Sequence, residues 1–439
     1  MSQAPFENAQ PALPTDPPKG ALFSIFLIIL VDFIGFGIII PLLPFYIPSY
    51  QEHAMQVTML FSVYSICQFI GAPILGALSD RIGRRPVLIF SQLGSAVGYV
   101  LLGVATLPRW DLTTRLTLIY VSRIVDGFTG GNVSTAQAYI SDVTSAKNRA
   151  QGMGLIGAAF GIGFSLGPAM GGLLKKYIHL AAPAYAAALL ALLAALQTWL
   201  RLKEPQVHRP TEVESWLHPR TFTPIFKKPI VSQLLLISFV SMASFVMMES
   251  TIGIFMAAAF HWDKDRAADN TAWFFVYVGI IIAVVQGGLI RKLMKRGNEW
   301  PWAILGAILV AMGMALFVGC AWLPAIWLLA VAGGVNSVGR SLQGPTLSSL
   351  LSKFSDPKEQ GVVFGLYWGL SSLARVAGPI IAGLTYPYWR NTGQFVTSGA
   401  IILLVAVWTI AVRTQARANL SGRTPVDDAI GRAATSEIE

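Results

Sequence analysis

"GALSDRIGRRPVL", from Gly76 to Leu88, sets one aspartate and three arginines between two long apolar runs. The chain around it is only 12% charged, against about 25% in an ordinary soluble protein. It is 54% hydrophobic with a mean hydropathy of +0.59. Apolar stretches of about 20 residues recur from end to end, each long enough to cross a hydrocarbon layer of about 30 Å. The charged stretch therefore reads as a link between two membrane spans. The fold class that follows is an all-α membrane protein.

Working outward from that link, twelve spans are expected, starting near Ala21, Gln56, Pro86, Thr114, Arg149, Ala181, Ile230, Thr271, Trp300, Trp322, Gln360 and Gly393. The longest polar break, "KEPQVHRPTEVESWLHPR", divides them into two sets of six. The expected organisation is a disordered cytoplasmic tail over 1–20, a six-helix bundle over 21–201, a cytoplasmic central loop over 202–229, a second bundle over 230–414, and a cytoplasmic tail over 415–439. The first residues are Pro-rich and polar and lack the basic start of a signal peptide. Of the 32 Lys and Arg, about 22 fall on the side of the termini, about 7 on the other side and the rest inside spans. That asymmetry predicts a multi-pass protein of the cell (inner or plasma) membrane with both termini cytoplasmic. It also accounts for the net charge of +10 without a nucleic-acid partner. Cys67 and Cys320 have no metal-ligand spacing around them, so neither a disulfide framework nor a metal site is expected.

The two halves echo each other. "GALSDRIGRR" at Gly76 matches "GGLIRKLMKR" at Gly287, and "GPAMGG" at Gly167 matches "GPIIAG" at Gly378. Both pairs are offset by 211 positions (287 − 76 and 378 − 167). Two matches at one offset indicate duplication of a six-helix unit, and parallel repeats of that kind hold substrate near the midplane. The second copy carries Arg291 where the first has Asp80.

These residues resemble the motifs of the major facilitator superfamily, and within it the twelve-helix drug:proton antiporters that include tetracycline efflux pumps. "GALSDRIGRRPVL" resembles motif A, with Gly76, Asp80, Arg81, Gly83, Arg84 and Arg85 in its fixed positions. "DFIGFGIIIPLLP" at Asp32 is similar to the first-span motif, and "RIVDGFTGGN" at Arg123 to motif B. "GIGFSLGPAMGG" at Gly161 resembles motif C, the antiporter mark, and supplies Gly163, Gly167, Pro168, Gly171 and Gly172. The resemblance implies two pseudo-symmetric six-helix bundles and export of small amphipathic, drug-like or tetracycline-like compounds, hence multidrug efflux and antibiotic resistance, in exchange for protons. Two departures stand out. Asp126 occupies a motif B position usually held by an amide or small residue. The third and ninth spans lack the acids that tetracycline pumps carry there.

Physical readings accompany the motifs. Gly76 and Gly83 permit close backbone contact and a sharp turn. Asp80 can pair with arginines or with a helix N-terminus and so latch the cytoplasmic side, while the arginines at least hold topology. The motif C glycines leave one helix face bare for a neighbouring helix, and Pro168 removes a backbone bond and can kink the helix.

The charges inside spans narrow the chemistry further. An ionisable side chain at mid-bilayer costs roughly 2.5–3.5 kcal/mol on insertion scales, so Asp32, Arg123, Asp126, Glu249, Arg340 and Arg375 must pair or face water. Arg123 and Asp126, three apart on one helix, can neutralise each other. Asp32 and Glu249 have no opposite charge within reach on their own helices, which makes them the leading proton carriers, with Asp32 first by its place in the family motif. Arg123 and Asp126 complete the proton-coupling candidates. Asn132, Gln137, Asn336, Arg340 and Gln343 offer polar contacts to a substrate, and Met248, Phe275 and Trp368 offer apolar ones. Asn and Gln serve equally well as bridges between helices.

No G-x-x-x-x-G-K-[ST] phosphate loop is present, and no catalytic constellation stands out in the spans, so neither an ATP-driven pump nor an enzyme is expected. No cofactor beyond a proton gradient is called for. The expected partners are a small-molecule substrate, protons and the lipid bilayer, with the chain acting as a monomer. A proton symporter or facilitator importing a small metabolite, or a non-transporting sensor, is the alternative reading.

Overall fold

The computed structural model describes residues 20–47, 53–144, 146–205, 225–290, 298–356 and 359–421. The tail over 1–19, the central loop over 206–224, Arg291 and the residues after 421 lie outside that set.

Among the described residues the regular elements are all helical. They are α1 (Ala21–Ile39), α2 (Ala54–Ile82), α3 (Arg84–Val104), α4 (Leu112–Thr129), α5 (Val133–Val143), α6 (Ala146–Tyr177) and α7 (Ala182–Arg201), followed by α8 (Pro229–Ala259), α9 (Lys264–Val284), α10 (Trp300–Cys320), α11 (Ile326–Phe354), α12 (Gln360–Thr385) and α13 (Gly393–Ser421). With α4 and α5 taken as one interrupted span, twelve spans result. The interruption is a 3-10 turn at Gly130–Asn132. A second 3-10 stretch, Ile40–Tyr46, ends the first span, where Pro41 and Pro44 remove backbone donors.

Eight helical segments among the described residues are long and apolar enough by themselves to cross a bilayer. The α4–α5 span, α6, α11 and α12 are not among them. These four carry the polar groups singled out above: Arg123, Asp126, Asn132 and Gln137; the motif C glycines; Arg340 and Gln343; and Arg375. Asp32 and Glu249 are different: they lie on α1 and α8, two of the apolar spans.

The helices gather into two compact units. The first holds α1, α2 from Val63 onward, α3 to α7 and the opening of α9, Lys264–Gly279. The second holds the start of α2 up to Ser62, α8, the remainder of α9 from Ile280 and α10 to α13. Two shared helices follow from local contacts. In the first unit the buried Lys175 at the end of α6 binds Asp265 at 3.1 Å and Asp269 at 3.0 Å on α9, and Gly172 leaves room for Ala272. In the second, Ser62 of α2 donates to the Val376 carbonyl of α12 at 3.0 Å.

Lipid tails are as apolar as leucine, so burial alone does not drive helices together in a membrane; close van der Waals packing does. The first unit shows the consequence. A Cβ on Gly163, Gly167 or Gly171 of α6 would sit 2.5 to 2.7 Å from atoms of Phe33, Gly37 or Ile38 on α1. Three glycines therefore bring α6 onto the backbone of α1. Beside that seam, Ile25, Ile28 and Ile29 of α1 pack with Tyr139 and Ile140 of α5. Motif B works in the same way: a Cβ on Gly131 would meet the Ala72 amide at 2.5 Å, and Gly127 lies against the Tyr64 backbone, both on α2. The second unit relies more on aromatic packing. Phe395 of α13 stands edge-on to Phe255 of α8 at 4.8 Å and stacks on Phe317 of α10 at 5.2 Å.

Candidate functional site

The opening charged stretch forms the α2–α3 corner. Gly83 makes the turn at φ 115°, a region that side chains rarely tolerate. At Gly76, by contrast, the nearest atom to an added Cβ is Ser134 Oγ at 3.6 Å, an ordinary contact, so the close approach expected there is absent. Asp80 forms an ion pair with Arg84. The Arg84 guanidinium also binds Asp142 on α5 at 2.9 Å and donates to Ser79 Oγ at 2.7 Å. Glu204, just beyond α7, caps α3. Its two carboxylate oxygens accept from the Arg84 and Arg85 amides at 2.7 and 2.9 Å. Arg85 in turn donates to the Trp199 carbonyl of α7, and Arg81 is exposed. Asp142 and Glu204 were not singled out in the sequence, where they lie 58 and 120 positions from Arg84.

The interior of the first unit holds a second cluster. Asp32, in the middle of α1, accepts a hydrogen bond from the Asn132 side-chain amide at 2.5 Å. Among the described residues Asp32 forms no ion pair. The 3-10 turn after the motif B glycines is what places Asn132 opposite α1. On α4, Arg123 pairs with Asp126 at 3.2 Å, and each side chain is 3% exposed. This is the mutual neutralisation that the three-residue spacing allows. The Arg123 guanidinium carbon lies 5.9 Å from the ring centres of both Tyr64 and Tyr99. Tyr99 reaches α1, since a Cβ on Gly35 would touch its hydroxyl at 3.0 Å. Gln68 of α2 donates to the Tyr64 hydroxyl at 3.3 Å and the Gly130 carbonyl at 3.1 Å. Tyr64, Gln68 and Tyr99 were missed because aromatic and amide residues in apolar runs carry no distinctive spacing. Gln137 is half-buried on α5, away from these bonds, and Phe275 on α9 is buried edge-on against Phe274 at 5.9 Å.

The second unit has its own polar interior. Glu249 of α8 faces Arg375 of α12 at 4.0 Å, so the acid with no partner on its own helix finds one across the bundle. Arg340 of α11 is half-buried. It donates to Met242 Sδ at 2.9 Å and lies 5.0 Å from the centre of the Phe245 ring, both on α8. Gln343, one turn on, donates to Ser241 Oγ at 3.1 Å while its own carbonyl oxygen has no hydrogen-bond partner among the described residues. Met248 is buried on α8, next to Glu249. Asn336 lies against Gly313 of α10, where a Cβ would meet it at 2.7 Å, so it sits at a helix-packing seam. Trp368 is exposed and stands edge-on to Tyr367 at 5.5 Å. The structure thus joins Asp32 to Asn132, Arg123 to Asp126 and Glu249 to Arg375, and it leaves Gln137, Asn336 and Trp368 apart from those clusters.

Comparison with known proteins adds the family. The family model described as the Major Facilitator Superfamily matches residues 25–323. The tetracycline resistance protein, class C, of Escherichia coli is 32% identical over 399 residues, which cover 89% of this chain and 96% of that protein. The crystal structure of the human organic anion transporter MFSD10 superposes with a TM-score of 0.66 at 24% identity, covering 90% of this chain and all of that one. A variant of the peptide transporter POT gives a TM-score of 0.70 at 17% identity over 91% of this chain and 95% of that one.

Proposed function

The chain belongs to the major facilitator superfamily, and from that premise we propose that it exports small amphipathic, drug-like or tetracycline-like compounds in exchange for protons by alternating access. Membership makes it a multi-pass membrane transporter of a small molecule and not an enzyme. The finer reading rests on one observation. Asp32 is a carboxyl group inside a span, held by a neutral amide instead of a cation, with the Arg123–Asp126 pair in the same unit. An acid neutralised by an arginine has little reason to take up a proton; an acid bonded only to an amide can gain and lose one as its access to water changes. Burial of a carboxyl in low-polarity surroundings favours the neutral form, and solvation favours the charged form.

In this reading Asp32 carries the proton and Asn132 senses its state through their shared bond. The knot of Asp80, Arg84, Asp142 and Glu204 holds the cytoplasmic corner of the first six helices. The α1–α6 glycine seam keeps the path between two sides sealed during turnover. Both termini face the cytoplasm of a cell membrane, and the two halves 21–201 and 230–414 work as paired bundles. The name of the Escherichia coli relative, a tetracycline resistance protein, supports a drug-like substrate. The absence of any acid in α3 and α10 weighs against tetracycline itself.

The experiment uses inverted membrane vesicles with an imposed pH gradient, acid inside, screened with lipophilic cations, tetracyclines and sugars. Release of lumenal protons on adding a compound, with uphill uptake of that compound, is the expected result. Uphill movement of compound together with protons would identify a symporter instead, and proton release indifferent to every compound would end the exporter reading.

A further inference from the structure

We propose that the second unit carries a recognition site for an anionic group, anchored by Arg340, and that the compounds transported are amphipathic organic anions. The inference rests on the exporter reading for its consequence, but not for its geometry.

Among the described residues the second unit has three charged side chains well inside its spans, Glu249, Arg340 and Arg375; the buried Glu299 at the start of α10 is paired with Lys353. Glu249, the single carboxylate of the three, faces Arg375 at 4.0 Å. Arg340 has no carboxylate within ion-pair distance among the described residues. Its direct contacts are a thioether sulfur and the face of a phenyl ring. A thioether is a weak acceptor. A cation–π contact offsets less than an arginine costs at the centre of a span. Neither contact supplies negative charge, so the interior keeps a formal excess of one positive charge. Packing alone does not explain that excess, because methionine or leucine would fill the same space with no charge to offset.

The neighbours of Arg340 describe what would satisfy it. Met242 and Phe245 of α8 present soft apolar surface beside the guanidinium. Tyr367 of α12, Arg375 and Glu249 are all within electrostatic reach, so the one carboxylate acts on both guanidinium groups and fully offsets only one of them. Gln343 lies one turn along the same helix face. It is 1% exposed, and its carbonyl oxygen is an acceptor with no donor. A guanidinium fork takes a carboxylate or a comparable oxyanion by two parallel hydrogen bonds. The free Gln343 oxygen takes an N–H or O–H. The complementary molecule therefore has an aromatic or alkyl body, one anionic head and a hydrogen-bond donor close to that head. Arg340 as a residue is half-buried, not sealed in the core.

The test uses the full chain in lipid nanodiscs and three matched probes: naphthylbutyrate, naphthylbutylamine and naphthylbutyramide. The expected result is that naphthylbutyrate binds at least about tenfold more tightly than the other two, about 1.4 kcal/mol. Arg340→Gln removes the preference and Arg340→Lys keeps part of it, with the melting temperature of each ligand-free variant recorded beside the affinities. Equal affinity for all three probes in the unmodified chain, including no measurable affinity for any, overturns the proposal whether or not the variants fold. So does an Arg340→Gln variant that folds and still prefers the carboxylate. Proton release from vesicles is read in parallel. Naphthylbutyrate that binds through Arg340 but moves no protons sinks the exporter reading and leaves the anion site standing. Proton release driven by the amine but not the acid does the reverse.

Discussion

The two units present opposite charge on one duplicated plan. Among the described residues the mid-span interior of the first holds two acids and one arginine, Asp32, Asp126 and Arg123, apart from the Lys175 pairs at the end of α6. The second holds two arginines and one acid: Arg340, Arg375 and Glu249. The 211-residue offset aligns them position by position. Asn132 corresponds to Gln343 (343 − 132 = 211), Thr129 to Arg340 (340 − 129 = 211) and Asp126 to Ser337 (337 − 126 = 211). The amide is kept in both copies. In the first it donates to an acid of the helix it faces, and in the second to a serine hydroxyl of the helix it faces. The charge differs instead: a threonine bonded to its own helix in one unit corresponds to a guanidinium that forms no ion pair among the described residues in the other. The two copies share the polar amide and differ in the sign of the charge set beside it.

If that division of labour holds, the largest effect comes from the excess acid. Asp32→Asn removes the titrating group and keeps the bond to Asn132 possible, so proton-driven uptake into inverted vesicles should fall to the level of empty vesicles while the protein still inserts and melts normally. Glu249→Gln, in the other unit, should lower uptake without abolishing it. The reverse ranking would move proton coupling to the second unit and break the comparison.

The ion pairs give the next largest effect, read as stability. Removing one member of a buried pair leaves an uncompensated charge, which costs about 3–5 kcal/mol. Asp126→Asn should approach that figure, because both side chains of its pair are 3% exposed. The double variant Arg123→Gln with Asp126→Asn should recover most of the loss. Glu249→Gln should cost less, because Arg375 is 16% exposed and can reach other surroundings. Thermal unfolding in detergent measures all three. Equal losses at the two pairs would mean that the second unit buries its charge as completely as the first.

How much of this was legible beforehand follows from the range of each interaction. Spans, repeat and motifs lie along the chain, and the twelve expected spans match the helices within a few residues at most starts. α9 is an exception. It begins at Lys264, seven residues before the expected Thr271 (271 − 264), because its first two turns are polar and read as a link. Its charges bind Lys175 of α6, a contact that no local pattern announces. The Arg123–Asp126 pair was legible because both groups sit on one helix. Arg375 and Glu249 lie on different helices, so a search for partners within helical reach left both unmatched. The cap by Glu204 was illegible for the same reason: the donors lie 120 and 119 positions away.

Close packing sets the third effect. Gly167 meets only backbone of α1, with its added Cβ 2.7 Å from Gly37 and 2.8 Å from the Ile34 carbonyl. Its counterpart Gly378 on α12 meets the Ala243 carbonyl at 2.7 Å and the Val246 Cβ at 3.2 Å, one contact under 3.0 Å against three at Gly167. Overpacking of this sort costs about 1–3 kcal/mol. Gly167→Ala should sit near the upper end and Gly378→Ala near the lower, by thermal unfolding. A larger loss at Gly378 would show that the first-copy seam is the more forgiving of the two.

The smallest effect belongs to Glu204, and it isolates a feature that the described residues show in the first unit alone. α3 starts directly after the left-handed turn at Gly83, so no residue is available in the usual capping position to accept its first amides. Glu204 supplies both oxygens from beyond α7 and brings negative charge to the positive end of the helix. Loss of a helix cap costs about 1 kcal/mol. Glu204→Ala should show that loss, and Glu204→Gln should keep part of the bonding while losing the charge. If the capping charge matters because it offsets the helix dipole, the gap between Gln and Glu at this position narrows as salt is added, whereas the gap between Ala and Gln does not. A gap between Gln and Glu that ignores salt would reduce Glu204 to a pair of hydrogen-bond acceptors. The stiffness of the Asp80–Arg84–Asp142 corner would then owe nothing to the electrostatics of the helix that begins there.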